Sequence, residues 1–332
     1  MLFFFITISV VAQEAEWAKI RGTQLLWKLE NGILTIKGQG AIPNYGWVGG
    51  SSVTSSTSTA TVATGKNSST SVSVSTSSAT PTIGYDGTAP WNSKRSDITS
   101  VIIEDGITGI GKANFYKYEN LTSITIPESV TSIGAHAFYK CEKLTSITLP
   151  KELTSLGDYV FAECKNLSSV NIPLNLTSCG LGMFANCNNL VSIILPEGMT
   201  SIPDNLLAGI KLTSITIPEG VVSIGNFAFM GCLFSSITIP ESVTNIGGGA
   251  FIGCVNLTAI TIPKGVCSIG TNTFGSCKNL TVVEVKNPVP PKTASIFMLT
   301  PIKNAKLIVP AGAKTTYAAS KAWGKFGTIE ER

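Results

Sequence analysis

Little in this chain can exchange a proton near neutral pH. One histidine, His136, stands among 332 residues, and only 13% of them carry charge. A Ser-His-Asp or Cys-His relay would rest on that single imidazole, which falls on the outer turn of a repeat and reads as a surface residue. No Asp or Glu lines up on neighbouring strand positions, so a paired-carboxylate site is not expected. No C-x-x-C occurs, which removes the usual zinc-ligand spacing. Gly247-Gly248-Gly249 lacks the following Lys-Ser/Thr of a phosphate loop. No enzyme, metal or cofactor is expected. The net charge of +4 is spread without any Lys/Arg run, which argues against nucleic acid and against an anionic membrane.

Long apolar runs are also scarce. Residues 2–12 form one, too short to span a bilayer. Val10 and Ala12 are small residues where a signal peptidase prefers them, so 1–12 reads as a signal peptide cleaved after Ala12. No Lys or Arg precedes Lys19, so the usual basic start is missing, and a buried strand is the alternative. The expectation is an exported chain, at the cell surface or extracellular, without a membrane span and monomeric.

What the chain has in abundance is repetition. The segment LTSITIPESVTSIGAHAFYKCEK, Leu121 to Lys143, recurs with its first residue at Ile98, Leu121, Leu144, Leu167, Leu190, Leu212, Phe234, Leu257 and Leu280. The spacing is 23 residues except for two steps of 22, into Leu212 and into Phe234. Such a period marks a solenoid, in which each repeat buries its apolar face only against its neighbours. These nine coils are numbered 1 to 9 below.

Each column of the repeat has a physical task. Ile124 and Ile126 are two residues apart and share one face of a short strand, leaving Ser123 and Thr125 on the other. Pro127 ends the strand because it cannot donate to a ladder, and it recurs at Pro150, Pro173, Pro196, Pro218, Pro240 and Pro263. Val130 and Ile133 turn inward. A glycine column follows (Gly111, Gly134, Gly157, Gly180, Gly225, Gly247, Gly270), and it calls for either positive φ or close backbone approach. Phe138 and Cys141 close the coil from a short helical or irregular segment. Stacked strands about 4.8 Å apart would form one parallel sheet roughly 40 Å long on the concave face of an α/β-type solenoid.

The ends depart from the repeat. LLWKLENGILTIKG alternates about Asn31-Gly32, a strong hairpin signal, and 13–97 reads as an N-terminal β cap. Within it, 51–80 is nearly all Ser, Thr, Val and Ala, and reads as an inserted surface loop, an O-glycosylated segment or a pairing-prone β-arm. Repeats occupy 98–303. Residues 304–332 read as a C-terminal cap of one strand and a helix starting near Ala311, with Tyr317 and Trp323 covering the last core.

Eight cysteines in an exported chain invite disulfides. Six of them (Cys141, Cys164, Cys187, Cys232, Cys254, Cys277) share one column with Tyr118 and Ile210. A position open to all three residue types is buried and apolar, and parallel side chains suit a disulfide poorly, so a reduced ladder is expected. Cys179 reads as core and Cys267 as the exposed thiol.

L-x-x-I-x-I-P followed by S-I-G-x-x-A-F-x-x-C resembles the BspA-like class of leucine-rich repeats, over residues 98–285. The WKLENGILTIKGQGAIPNY, Ala89-Pro90-Trp91 and KLIVPAGAK segments are similar to that family's terminal regions. The resemblance implies a leucine-rich repeat solenoid in a bacterial surface or secreted protein, with an adhesive role toward matrix proteins, other bacteria or host cells. The repeats are few and the 51–80 insertion is not standard for the family.

The outward strand positions offer the candidate binding face: Ser123, Thr125, Ser146, Thr148, Ser169, Asn171, Ser192, Ser214, Thr216, Ser236, Thr238 and Thr261. It is small, neutral and free of the Trp, Tyr and Arg that concentrate interface energy. Three uses stay open: a protein-binding adhesin whose aromatic anchors come from the cap (Trp17, Tyr45, Trp47, Tyr85), a structural spacer, or a binder of a periodic surface such as a polysaccharide.

Overall fold

A computed structural model describes residues 16–45, 89–176, 178–293 and 295–332. The segments read as leader (1–12) and as Ser/Thr insertion (51–80), and Trp47 and Tyr85, lie outside them. The chain winds into a β-solenoid of about 10 turns with little helix. The coils have three sides: a side that carries the longer strands in most coils, a second side of short strands, and a side of tight turns.

At the N-terminal end, Leu26–Glu30 and Ile33–Lys37 pair antiparallel around Asn31-Gly32. Both turn residues have positive φ, 49° and 80°, as a two-residue hairpin turn requires. Ile33–Lys37 then pairs in parallel with Ser100–Ile103 of coil 1. At the other end Val282–Val285, Lys306–Val309 and Thr328–Glu331 continue the parallel ladder. Between the last two lies the helix Lys314–Ala319.

The turn side is where the coils are joined without interruption. In coil 2 the N–H groups of His136, Phe138 and Lys140 donate to the carbonyls of Asp158, Val160 and Ala162 in coil 3, at 2.8, 2.9 and 2.9 Å. The same three bonds recur at every step, from Ala113, Phe115 and Lys117 to the last set at Asn272, Phe274 and Ser276. The chain can do this because the segment is a run of tight turns and not a helix. Residues 134–137 and 138–141 each close an i to i+3 bond. Their third residues, His136 and Lys140, have φ of 58°, as type II turns demand.

The glycine column serves close approach, with its φ outside the left-handed range. A Cβ on Gly157 would sit 2.3 Å from the Ala135 nitrogen, and one on Gly270 would sit 2.2 Å from the Gly248 nitrogen. The residues needing positive φ stand two and six positions later. There Gly or Asn recurs, as at Gly182, Asn186, Asn205, Gly209, Gly249, Gly253 and Asn272. That recurrence was readable in the sequence.

Under the turns runs a file of rings. Trp91 stacks on Phe115, then Phe115, Phe138, Phe161 and Phe184 follow at centroid spacings of 5.3, 5.5 and 5.7 Å. Leu207 interrupts the file. It resumes through Phe229, Phe251, Phe274 and Phe297, and Trp323 closes it edge-on at 5.6 Å. Tyr317 packs on Trp323, and its hydroxyl donates to the Asn287 carbonyl at 2.7 Å.

The single sheet expected from the period is divided. Strand pairing joins Ser100–Ile103 to Ser123–Thr125, joins Ser146–Thr148 to Ser169–Asn171, and resumes at Ala259–Ile262. Among the described residues, coils 5, 6 and 7 carry no strand on this side. The cause of the later part is the 22-residue step. In 23-residue coils the turn into the strand is closed by a bond such as Leu144 N–H to Cys141 O, 3.1 Å. Coils 6 and 7 are entered with one residue fewer, and neither Leu212 nor Phe234 donates such a bond.

The second side opens once, between Ser178–Cys179 and Ser201–Ile202. Elsewhere the column glycine donates across this step, as Gly225 does to Ile202 at 2.8 Å. In coil 5 that position is Pro203, which has no N–H and carries a ring where the neighbours carry none. A cleft of about 220 Å³ results, between Leu176 and Cys179 on one coil and Met199 and Pro203 on the next.

Candidate functional site

The strand face presents its hydroxyl columns to solvent. Ser123, Thr125, Ser146, Thr148, Ser169, Asn171, Ser192, Ser214, Thr216, Ser236 and Thr238 are exposed, and Thr261 is half-buried. Three of these side chains are engaged in holding the coils. The Ser123 hydroxyl shares a 2.9 Å hydrogen bond with that of Ser100. Asn171 accepts from the Leu149 N–H at 2.8 Å and donates to the Leu149 carbonyl. Thr261 donates to a Glu284 carboxylate oxygen at 3.2 Å.

Coil 5 breaks the polar pattern. Val191 stands where other coils place Thr or Ser, and Ile194 where most place Thr or Asn. They are 60% and 84% exposed. Both belong to the stretch that lacks ladder pairing, and they give this face an apolar spot at mid-length, more exposed than Ile102 of the same column in coil 1.

Of the four aromatic anchors expected from the cap, Tyr45 and Trp17 are described, and neither stands free. Tyr45 is buried against Trp91, centroids 6.1 Å apart, because its ring helps cover the first coil's core. Trp17 is half-buried, with the Lys37 ammonium 3.8 Å and the Lys28 ammonium 5.2 Å from its ring centre.

Aromatic surface gathers instead on the turn side of coils 1 to 3. Tyr116 and Tyr139 stack at 5.1 Å, and His136 lies 5.6 Å from Tyr139 and 5.5 Å from Tyr159. All four are half-buried. The ammonium groups of Lys117 and Lys140 sit over the rings of Tyr116 and Tyr139, at 5.3 and 5.7 Å. Burial, then the charge of Lys112, lowers the His136 pKa from 6.5, and Asp158 opposes them. Tyr116 and Tyr139, and likewise His136 and Tyr159, are 23 residues apart, and the coil pitch makes them neighbours.

The cysteine column is buried and all eight thiols are free. Each column thiol donates to a carbonyl one coil back, as Cys141 does to Phe115 at 3.2 Å and Cys164 to Phe138 at 3.1 Å. Burial pushes the thiols up, Cys164, Cys232 and Cys277 to about 12. Cys267 is exposed as expected, while Cys179 is half-buried, packing against the core on one side and lining the cleft on the other. Among the described residues no three His, Cys, Asp or Glu side chains converge to hold a metal ion, and no helix is long and apolar enough to cross a membrane.

The BspA type leucine rich repeat region matches residues 93–211 and 200–315, in six copies. No curated protein matches the chain. Among solved structures, a leucine-rich repeat protein from Bacteroides ovatus ATCC 8483 is similar, with a TM-score of 0.65 and 23% identity over 97% of this chain and 79% of that one. The pneumococcal vaccine antigen PcpA has a TM-score of 0.53 and 16% identity, over 96% of this chain and 99% of its own. At those identities the two structures speak for the fold.

Proposed function

The chain belongs to the BspA-type leucine-rich repeat family, and on that premise we propose that it is a non-enzymatic, exported scaffold that binds protein partners, such as host or matrix proteins, on its strand face. The observation that carries the reading is coil 5. Rows of exposed Ser and Thr supply hydrogen bonds of little individual worth, and Val191 and Ile194 add the apolar contact an interface core needs. The leader-like residues 1–12 support export. The lone imidazole stands among Tyr139, Tyr159, Lys112 and Asp158 and has no Ser or Cys partner among the described residues, which supports a role without turnover.

The test is saturable binding of the chain to immobilised matrix proteins and host-cell surfaces, beside a Val191→Thr, Ile194→Thr variant that restores the hydroxyl pattern. A loss of roughly tenfold in affinity is expected. Full-strength binding by the variant would move the partner off this face. Silence across the panel would favour the spacer, a reading that the scarcity of aromatics along the strand face supports.

A further inference from the structure

We propose that the ledge formed by Tyr116, Tyr139, His136 and Tyr159 with Lys117 and Lys140 binds an acidic sugar of a surface or matrix glycan. The ledge lies on the turn side, away from the strand face, so it stands independently of the reading above.

Side chains must do the recognising here. The backbone N–H groups of residues 113, 115 and 117 are spent on coil 2, and those of 136, 138 and 140 on coil 3. An extended peptide therefore cannot add a strand through these groups. What remains is a stepped aromatic surface with hydroxyl tips. A sugar ring offers C–H groups on its faces and hydroxyls around its rim, and tyrosine offers an apolar body with a polar end.

The charges give the direction. The Lys117 and Lys140 ammonium groups are held over successive tyrosine rings that are 5.1 Å apart, so two cations face one short stretch of surface. A sugar carboxylate placed there forms charge-assisted hydrogen bonds. Asp158 and Glu163, one coil further on, act electrostatically on His136 and Tyr139 respectively, so they border the same ledge. They are acceptors for sugar hydroxyls, and they repel a second anionic group, which limits the site to one acidic sugar flanked by neutral ones.

The ledge also has a floor. Ala162, Ala185 and Ala208 form a buried row beneath Tyr139 and Tyr159. Tyr159 lies across Gly182, where an added Cβ would come within 2.2 Å of the ring. Tyr139 and Tyr159 are thus supported from below.

Calorimetric titration of the full chain with an oligosaccharide alternating uronic acid and N-acetylhexosamine tests this. A neutral N-acetylhexosamine oligomer and poly-glutamate serve as comparison ligands. Saturable binding of the acidic oligosaccharide is expected, weakened roughly tenfold or more in the Lys117→Gln, Lys140→Gln variant and unchanged by Ile194→Thr. Neither lysine is buried in the core, so the variant is expected to fold. Absence of binding, or binding indifferent to the lysine changes, would overturn the proposal. Poly-glutamate binding as tight as the sugar's would also overturn it and assign the ledge to acidic polypeptides.

Discussion

The thiol of Cys187 donates to the carbonyl oxygen of Phe161, 3.1 Å away and one coil back. The same link recurs down the column, and in coil 9 the Thr300 hydroxyl takes the place of the thiol, donating to Phe274. A buried carbonyl is thereby given a second donor by a side chain small enough to leave the ring file in place. This accounts for cysteine here better than smallness alone.

Thiol chemistry should follow. The thiolate is the reactive form, and burial suppresses it throughout the column. Native protein treated with iodoacetamide is expected to be labelled first at Cys267, more slowly at Cys179, and at the six column cysteines only on unfolding. Peptide mapping by mass spectrometry reads the order. Rapid labelling of Cys164 would contradict the reduced, closed ladder.

Pro203 sets the access to Cys179. Pro203→Gly restores an N–H facing the preceding coil and removes the ring that props the cleft. Labelling of Cys179 should slow, and amide protection around 178–202 should rise. An unchanged rate would mean that something other than the proline opens this step.

Phe184 ends the first ring file, fully buried and 5.7 Å from Phe161. Phe184→Ala is expected to cost about 3–5 kcal/mol, the range for truncating a buried phenylalanine. Denaturant unfolding measures it, and an unmoved midpoint would refute the packing register.

Two glycines should respond in opposite directions. Gly157→Ala forces a Cβ to within 2.3 Å of backbone and is expected to cost about 3 kcal/mol or more. Gly198→Ala meets nothing within 4 Å and requires no left-handed φ, so a gain of about 0.4–1 kcal/mol is expected from the stiffer unfolded chain. Thermal midpoints of the two variants give the comparison.

His136 makes stability depend on pH. Its pKa is lowered in the fold, by burial first and then by Lys112. The unfolded chain therefore takes up the proton first as pH falls below 6.5, and the fold loses stability until the lowered folded pKa is passed. His136→Asn removes the titration and keeps a residue at ease with φ of 58°. The drop in thermal midpoint between about pH 7.5 and about pH 5.5 should be smaller in the variant. An equal or larger drop would contradict the assignment.

The sequence alone determined the solenoid, its period, the inward columns and the hairpin at Asn31-Gly32, because a repeat of 23 residues with fixed apolar positions buries its core only by stacking. It also carried the marks of its own interruptions. The two 22-residue steps, Pro203 and Leu207 are visible departures, and the structure turns them into a divided sheet, a cleft and a gap in the ring file. What only the tertiary structure decided is which residues of different coils share a surface. Tyr116, His136 and Tyr159 look unrelated along the chain, and Tyr45 looks as free as any cap aromatic. Coil pitch brings the first three onto one ledge, and Trp91 takes Tyr45 into the core. Columns follow from local periodicity. Neighbours across columns follow from how the turns set each coil upon the last.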